Sequence, residues 1–352
     1  MMKENIGKVA KTMKKKWMLA AVCALALVLT ACAGAPKETV PTPAETTAPA
    51  ETTAPTLPPE ETNILRQFIL PPNYSGDGEY SNFVYESPYM RNQIKTITIV
   101  DTLANAPEEC WDASEAHNRA VLVWVEPNGE LYDLYIGAEG GVWAGQSARN
   151  MFRGYTNVER IDFGGAFHTE DVRDMYAMFF ACESLRELDL SGFDTSRVTD
   201  MSSMFAICYA LETVDFGSFD TSRVELMCNM FEECHSLLEL DLSNFNTANV
   251  GNMALMFDNC QSLTKLDLSS FRTPNLTTMA SMFSGCRSLS ELDVSNFDTS
   301  HVMDMGYLFM DCDSLTELDL SHFDMSSISG YYRTYKMFHN CPAGKDWKHL
   351  VK

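Results

Sequence analysis

The chain has 352 residues, 45% of them hydrophobic, which is room for two ordinary domains or one long repeat array. With 48 acidic against 26 basic residues its net charge is −22, so its surface repels nucleic acid and anionic lipid headgroups, and DNA or RNA is excluded as a partner. No H-E-x-x-H, G-x-S-x-G or Walker motif occurs, and the seven histidines follow no ligand spacing; neither an enzyme, a cofactor nor a metal site is implied.

Residues 1–31 read as a lipoprotein-type signal peptide. Met13-Lys14-Lys15-Lys16 precedes the apolar run Trp17–Leu29, then Leu29-Thr30-Ala31-Cys32. That tetrapeptide resembles the bacterial lipobox, which makes Cys32 the expected lipidation site and the membrane its expected partner through an acyl anchor. Met1, Met2 and Met13 all remain candidate starts. Removing residues 1–31 takes away six lysines and Glu4 and deepens the charge to −27.

Residues 32–62 carry the duplicated Ala-Glu-Thr-Thr-Ala-Pro and almost no large apolar side chain, so they cannot offset the entropy of folding. They read as a disordered tether reaching on the order of 90 Å at ~3 Å per residue. Residues 63–149 read as a small β-rich N-terminal capping region. Lys95–Asp101 alternates as a strand, and Ala120–Val125 and Leu131–Ile136 flank Asn128-Gly129, a strong hairpin signal. A turn of helix is expected near Ala113–Asn118.

Residues 150–341 are repetitive, with 342–352 as a C-terminal cap. Units of 26 residues begin at Val172, Val198, Val224, Val250, Leu276 and Val302. A worn copy lies around Met151–Phe163, and a seventh carries three extra residues before Met337-Phe338-x-x-Cys341. A fixed period of this length marks a stacked repeat. In the unit at Val198, Met201, Met204, Phe205 and Cys208 fall at i, i+3, i+4 and i+7, which predicts one face of a short helix. Val214 and Phe216 alternate with Asp215 as a brief strand, and Asp220-Thr221-Ser222 is expected to cap the next helix. No unit buries enough apolar surface to fold alone. Packing therefore accounts for the recurrence.

The consensus running from Leu185 to Cys208, L-x-x-L-D-L-S-x-F-D-T-S-x-V-x-x-M-x-x-M-F-x-x-C, resembles the BspA-like leucine-rich-repeat surface proteins of bacteria. The resemblance implies an α/β leucine-rich-repeat solenoid, with short parallel strands plus short helices, displayed at the cell surface. It associates the chain with adhesion to host matrix proteins, mucins or glycans, or other bacteria, and it carries over no functional residue.

Two ladders run along the repeat. Cys182, Cys208, Cys234, Cys260, Cys286 and Cys312 are in register. Strands stacked ~4.8 Å apart leave parallel Cβ atoms beyond the usual ~3.8 Å of a disulfide, which favours buried thiols over staggered disulfides or metal ligation. Cys110 and Cys228 stand outside this ladder and are expected to be more exposed. Asp162, Asp189, Asp215, Asp241, Asp267, Asp293 and Asp319 share an outward strand position, with a partial second row at Asp194, Asp220, Asp298 and Asp324. These carboxylates are expected to bond neighbouring loops and face water rather than bind Ca²⁺, which needs six to eight converging oxygens.

The sequence therefore predicts a non-catalytic, extracytoplasmic, lipid-anchored and monomeric display protein for adhesion or for protein or glycan binding. The alternative is a passive envelope spacer with no ligand. Rows at Glu187, Thr213, Glu239, Lys265, Glu291 and Glu317, and at Arg197, Arg223, Asn249, Asn275 and His301, are the expected contact positions.

Overall fold

The computed structural model describes residues 62–66, 70 and 89–345. Cys32, the signal peptide and nearly all of the tether lie outside the described residues. Among the described residues there are nine strands: β1 (Ile94–Val100), β2 (Trp111–Asp112), β3 (Leu122–Asn128), β4 (Leu131–Gly137), β5 (Val142–Trp143), β6 (Arg160–Asp162), β7 (Phe167–His168), β8 (Glu187–Asp189) and β9 (Thr213–Asp215). They form a five-stranded sheet in the order β2-β3-β4-β1-β6 and two pairs, β5-β7 and β8-β9. The first two contacts of the large sheet are antiparallel, and β1 pairs in parallel with both β4 and β6. The Asn128-Gly129 signal closes the β3–β4 hairpin, with Gly129 at φ 69°. No helix forms near Ala113–Asn118.

The α/β leucine-rich-repeat expectation is overturned. Between residues 89 and 345 there is no α-helix, only the 3-10 segments Arg91–Gln93, Tyr331–Thr334 and Pro342–Gly344. The segment that the i, i+3, i+4, i+7 pattern assigned to a helix is a chain of tight turns. In the unit at Val198, the N–H groups of Met201, Ser203, Phe205 and Ile207 donate to the carbonyls of Leu226, Cys228, Met230 and Glu232 in the next coil, at 3.0, 2.8, 2.9 and 2.8 Å. The alternate N–H groups of Met204, Ala206 and Cys208 close turns onto Met201, Ser203 and Phe205. Ser203 and Ile207, four residues apart, sit at φ 56° and 65°. The same left-handed pair recurs at Ala177 and Ala181, Asn229 and Glu233, Leu255 and Asn259, and Tyr307 and Asp311.

The physical reason for the difference is a near-coincidence of periods. A four-residue turn repeat puts side chains 201, 204, 205 and 208 on one face, as a 3.6-residue helix does over the same span. What decides between them is where the backbone N–H groups go, and here every second one is taken by the neighbouring coil. The brief strand expected in every unit is also rarer than predicted. At the strand position of the unit, paired strands occur among the described residues at β6, β8 and β9, while later copies keep the buried–exposed alternation without a ladder.

Coil packs on coil through side-chain columns. Phe152, Phe179, Phe205, Phe231, Phe257, Phe283 and Phe309 stack nearly parallel, successive centroids lying 5.4–5.9 Å apart. The repeat methionines beside them, among them Met201, Met204, Met227 and Met230, are fully buried, as are Leu211, Leu237, Leu263, Leu289 and Leu315.

The Asp-Thr-Ser segment works differently from a helix cap. Asp220 Oδ1 accepts the Ser222 N–H at 2.9 Å, while buried Thr221 binds the Asn246 backbone of the next coil. The cysteine ladder is likewise a bridge between coils. Cys182, Cys208, Cys234, Cys260, Cys286 and Cys312 donate their thiols, at 3.0–3.3 Å, to carbonyls of the preceding coil, those of Phe152, Phe179, Phe205, Phe231, Phe257 and Phe283. No disulfide joins any described cysteine. Burial pushes the Cys182 thiol up to about 12 and those of Cys208, Cys234, Cys260 and Cys286 upward too, while Cys312 is raised first by its hydrogen bond with Cys341 and then by burial. Cys110 is half-buried, but Cys228 is buried at 2% exposure, against the expectation that it would be open.

Candidate functional site

The outward side of the large sheet and of the β8–β9 pair carries two rows of side chains. Strand register fixes the first. Trp124 on β3 lies opposite Tyr135 on β4, Tyr135 opposite Thr98 on β1, and Thr98 opposite Asp162 on β6. Asp189 of β8 pairs with Asp215 of β9. The second row takes Glu126, Asp133, Thr96 and Arg160 in the same order, with Glu187 opposite Thr213 farther on. The residues between the rows, Ile97, Leu134, Ile161, Leu188 and Val214, are buried, so alternation turns the rows away from the core, although Trp124 at the end of the first row is covered by its neighbours and 2% exposed.

Two hollows lie along this side. One of ≈ 870 Å³ is lined by Asp162, Asp189, Asp215 and Asp241 among others. The other, ≈ 930 Å³, is lined by Lys265, Asp267, Glu291, Asp293, Glu317 and Asp319. The carboxylates are held in place. Asp189, Asp215, Asp241, Asp267, Asp293 and Asp319 each accept, through Oδ1, the N–H two residues on, at 2.8–2.9 Å. These turns need a short acceptor side chain, which is why Asp recurs there. The side chain and backbone of the serine two residues on hold the Asp189, Asp241, Asp267, Asp293 and Asp319 carboxyls below their ordinary value, so they stay ionised.

The expected contact positions Glu187, Thr213, Glu239, Lys265, Glu291 and Glu317 are all exposed on this side. In the other expected row, Asn249 and Asn275 are tied to the backbone carbonyls of Ser222 and Ala248, and Arg197 pairs with Asp171. Those side chains serve the stack. Among the described residues, no group of three or more His, Cys, Asp or Glu is placed to hold a metal ion. No helix among them is long and apolar enough to cross a membrane.

Two features escaped the sequence reading. The first is the aromatic end of the outward row. Trp124 and Tyr135 stack at 5.4 Å with their planes 8° apart, beside a cavity of ≈ 410 Å³. Counting residue pairs outward from the Asn128-Gly129 turn would have placed these two opposite each other. The second is a carboxyl group inside the stack. Asp258 is 8% exposed, and burial, together with the charges of Glu232 and Glu233, pushes it up to about 8. Burial raises Glu232 as well. Glu232 accepts from Asn229 at 2.8 Å, and Glu233 contacts His235 at 2.8 Å. The signal was there in sequence as two acids, Glu232 and Asp258, occupying the place after the column phenylalanine, which is Ala206 or Ser284 in neighbouring units.

No curated protein matches this chain, and no solved structure does. A protein-family model matches it twice, over residues 146–266 and 252–343, together more than half of its length. The overlap of the two matches reflects the same 26-residue repetition that stacks the coils. The chain belongs to the family described as Mycoplasma protein of unknown function, DUF285.

Proposed function

We propose that this is a non-catalytic surface protein, held outside the cytoplasm by a lipid on Cys32, that binds a partner along the acid-lined outward side of its coils. Kinship with BspA-like surface proteins belongs to the same proposal and rests on the repeat consensus. One observation carries the binding reading: carboxylates of successive coils are locked in register by their own backbones and gathered along two hollows. Like charges held this close cost stability, and ordinary surface solubility does not require them to be aligned.

Repetition also supports a non-enzymatic role. Catalysis uses a few dissimilar groups converging in one cleft, whereas these rows restate one group. The export reading draws on the Leu29-Thr30-Ala31-Cys32 sequence and the proline-rich segment after it.

The test is to present the purified whole chain to an array of matrix proteins, mucins, glycans and bacterial envelopes, beside a variant carrying Asp215→Asn, Asp241→Asn and Asp267→Asn. Saturable capture that weakens in the variant, with circular dichroism unchanged, is the expected result. Absence of saturable capture on every surface would leave the passive spacer.

A further inference from the structure

The aromatic cavity at the start of the outward row is built rather than incidental. Its lining is Val100, Thr102, Asn105, Trp124, Glu126 and Tyr135. Gly137 makes room for the Trp124 indole: a Cβ there would lie 3.2 Å from Trp124 Cη2 and 2.9 Å from Val100 Cγ2. The opposite wall, the loop through Thr102 and Asn105, is pinned by the Leu103 N–H donating to Glu139 at 2.8 Å and the Ala104 N–H donating to Thr102 Oγ1.

The polar groups differ in their engagement. Asp133, next to Tyr135 on the sheet, is taken up by Thr96 at 2.6 Å and Asn128 at 3.0 Å. Glu126 is exposed at the cavity, and among the described residues its carboxylate accepts no hydrogen bond and forms no ion pair. The half-buried Tyr135 ring, backed by the buried Trp124 at 2% exposure, with one open carboxylate beside it and no basic residue in the lining, has the electrostatics of a cation acceptor. Burial, then the Glu126 and Asp133 charges, hold the Tyr135 phenol above its usual value, in keeping with a negative local potential.

We propose that the cavity between Trp124, Tyr135 and Glu126 takes an arginine side chain of a partner polypeptide whose other basic residues lie along the aspartate row. A guanidinium suits the space because its plane stacks on an aromatic ring while its edge pairs with a carboxylate. The row beyond it runs in strand register through Thr98 to Asp162, and Asp189 and Asp215 line the same hollow as Asp162, so an extended cationic segment meets acid after acid. This inference rests on the outward side being the binding surface, and adds the partner's charge and its anchor residue.

The experiment is calorimetric titration of the whole chain with a ten-residue peptide alternating arginine and glycine. The same peptide with citrulline in place of arginine and a neutral hexasaccharide are the controls. Expected are saturable binding of the arginine peptide alone, and about a 3- to 10-fold loss of affinity for Glu126→Gln and for Tyr135→Leu, the range a single cation–π or surface ion-pair contact supports. Glu126→Gln changes an exposed side chain, so its fold is not at issue, and the melting curve of Tyr135→Leu checks the other.

If both variants keep full affinity while Asp215→Asn with Asp241→Asn loses it, the cavity inference falls and the binding side stands. Equal binding of the citrulline peptide, or Tyr135-dependent binding of the hexasaccharide, overturns the cation. If no peptide binds, the inference falls, and the array decides separately whether the outward side binds anything.

Discussion

Thr195 Oγ1 donates to the Asp220 carbonyl at 3.1 Å and accepts the Asp220 N–H at 2.8 Å, so one hydroxyl satisfies both backbone groups of a residue in the next coil. The motif repeats at Thr169 with Asp194, Thr221 with Asn246, Thr247 with Arg272, Thr273 with Asp298 and Thr299 with Asp324, and all six threonines are buried. Thr221→Val keeps the shape and removes the hydroxyl, leaving a part-buried N–H and C=O unmatched. A loss of about 2 kcal/mol is expected. Thr221→Ser keeps both bonds and gives up a methyl group, for about 1 kcal/mol. Urea unfolding monitored by circular dichroism checks the order, and a valine variant as stable as the serine one would remove the bridge from the account.

The turn ladder makes an opposite-sign prediction from a helix at Ser203. With φ at 56° this residue is in the left-handed region, which costs a side-chain-bearing residue on the order of 1 kcal/mol. Ser203→Gly relieves that cost, partly offset by the looser unfolded chain, so the expected change is a gain of up to about 1 kcal/mol. In an α-helix the same substitution would lose a similar amount. Gly285 occupies the place of Ile207 two coils on from Glu233, at φ 71°, and a Cβ there would collide with Asn259 Oδ1. Gly285→Ala is expected to destabilise. Paired thermal melts of the two variants suffice.

How far the sequence carried depends on what each pattern encodes. Period and burial were legible: Val224, Met227, Met230, Phe231, Cys234, Leu237 and Phe245 are all buried, because hydrophobicity reports which side faces the core. Local backbone was not. Nothing in Met201-Ser202-Ser203-Met204 says that the Ser203 N–H will reach Cys228 rather than a carbonyl four residues back. That choice is made by the neighbouring coil, a partner 25 residues away. At the candidate site, the aspartate row was legible from its spacing and its carboxylates were rightly assigned to nearby loops. The Trp124–Tyr135 cavity was not, because it depends on hairpin register and on Gly137 leaving space.

Buried donors and raised thiol pKa values together predict a protection pattern. Thiolate is the reactive form, and in the ladder both access and ionisation are suppressed. Under native conditions at pH 8, an alkylating reagent is expected to modify Cys110 while Cys182, Cys208, Cys234, Cys260, Cys286 and Cys312 stay unmodified until denaturant is added. Peptide mass mapping reads each site. A ladder cysteine labelled as fast as Cys110 would show that its coil opens on the timescale of the reaction.

The acid pair in the stack gives the protein a pH dependence that runs against the usual acid lability. Asp258 has a folded value raised to about 8, against roughly 4 in an unfolded chain. Between these two values the folded state holds a proton that the unfolded state has released. Its stability is therefore greatest at the acid end of the window and is lost as pH rises through it. The groups facing Asp258 set the size of the effect: Asn259 donates at 2.7 Å and Ser284 hydrogen-bonds, both favouring the charged form, while burial and the charges of Glu232 and Glu233 oppose it. The melting temperature is expected to fall by roughly 5–10 °C between pH 5 and pH 9. Asp258→Asn, which keeps the shape and removes the titration, is expected to flatten most of that slope and to melt higher than the parent at pH 9. Calorimetric scans at five pH values measure both slopes. If parent and variant slopes were parallel, the proton would have to reside elsewhere in the stack.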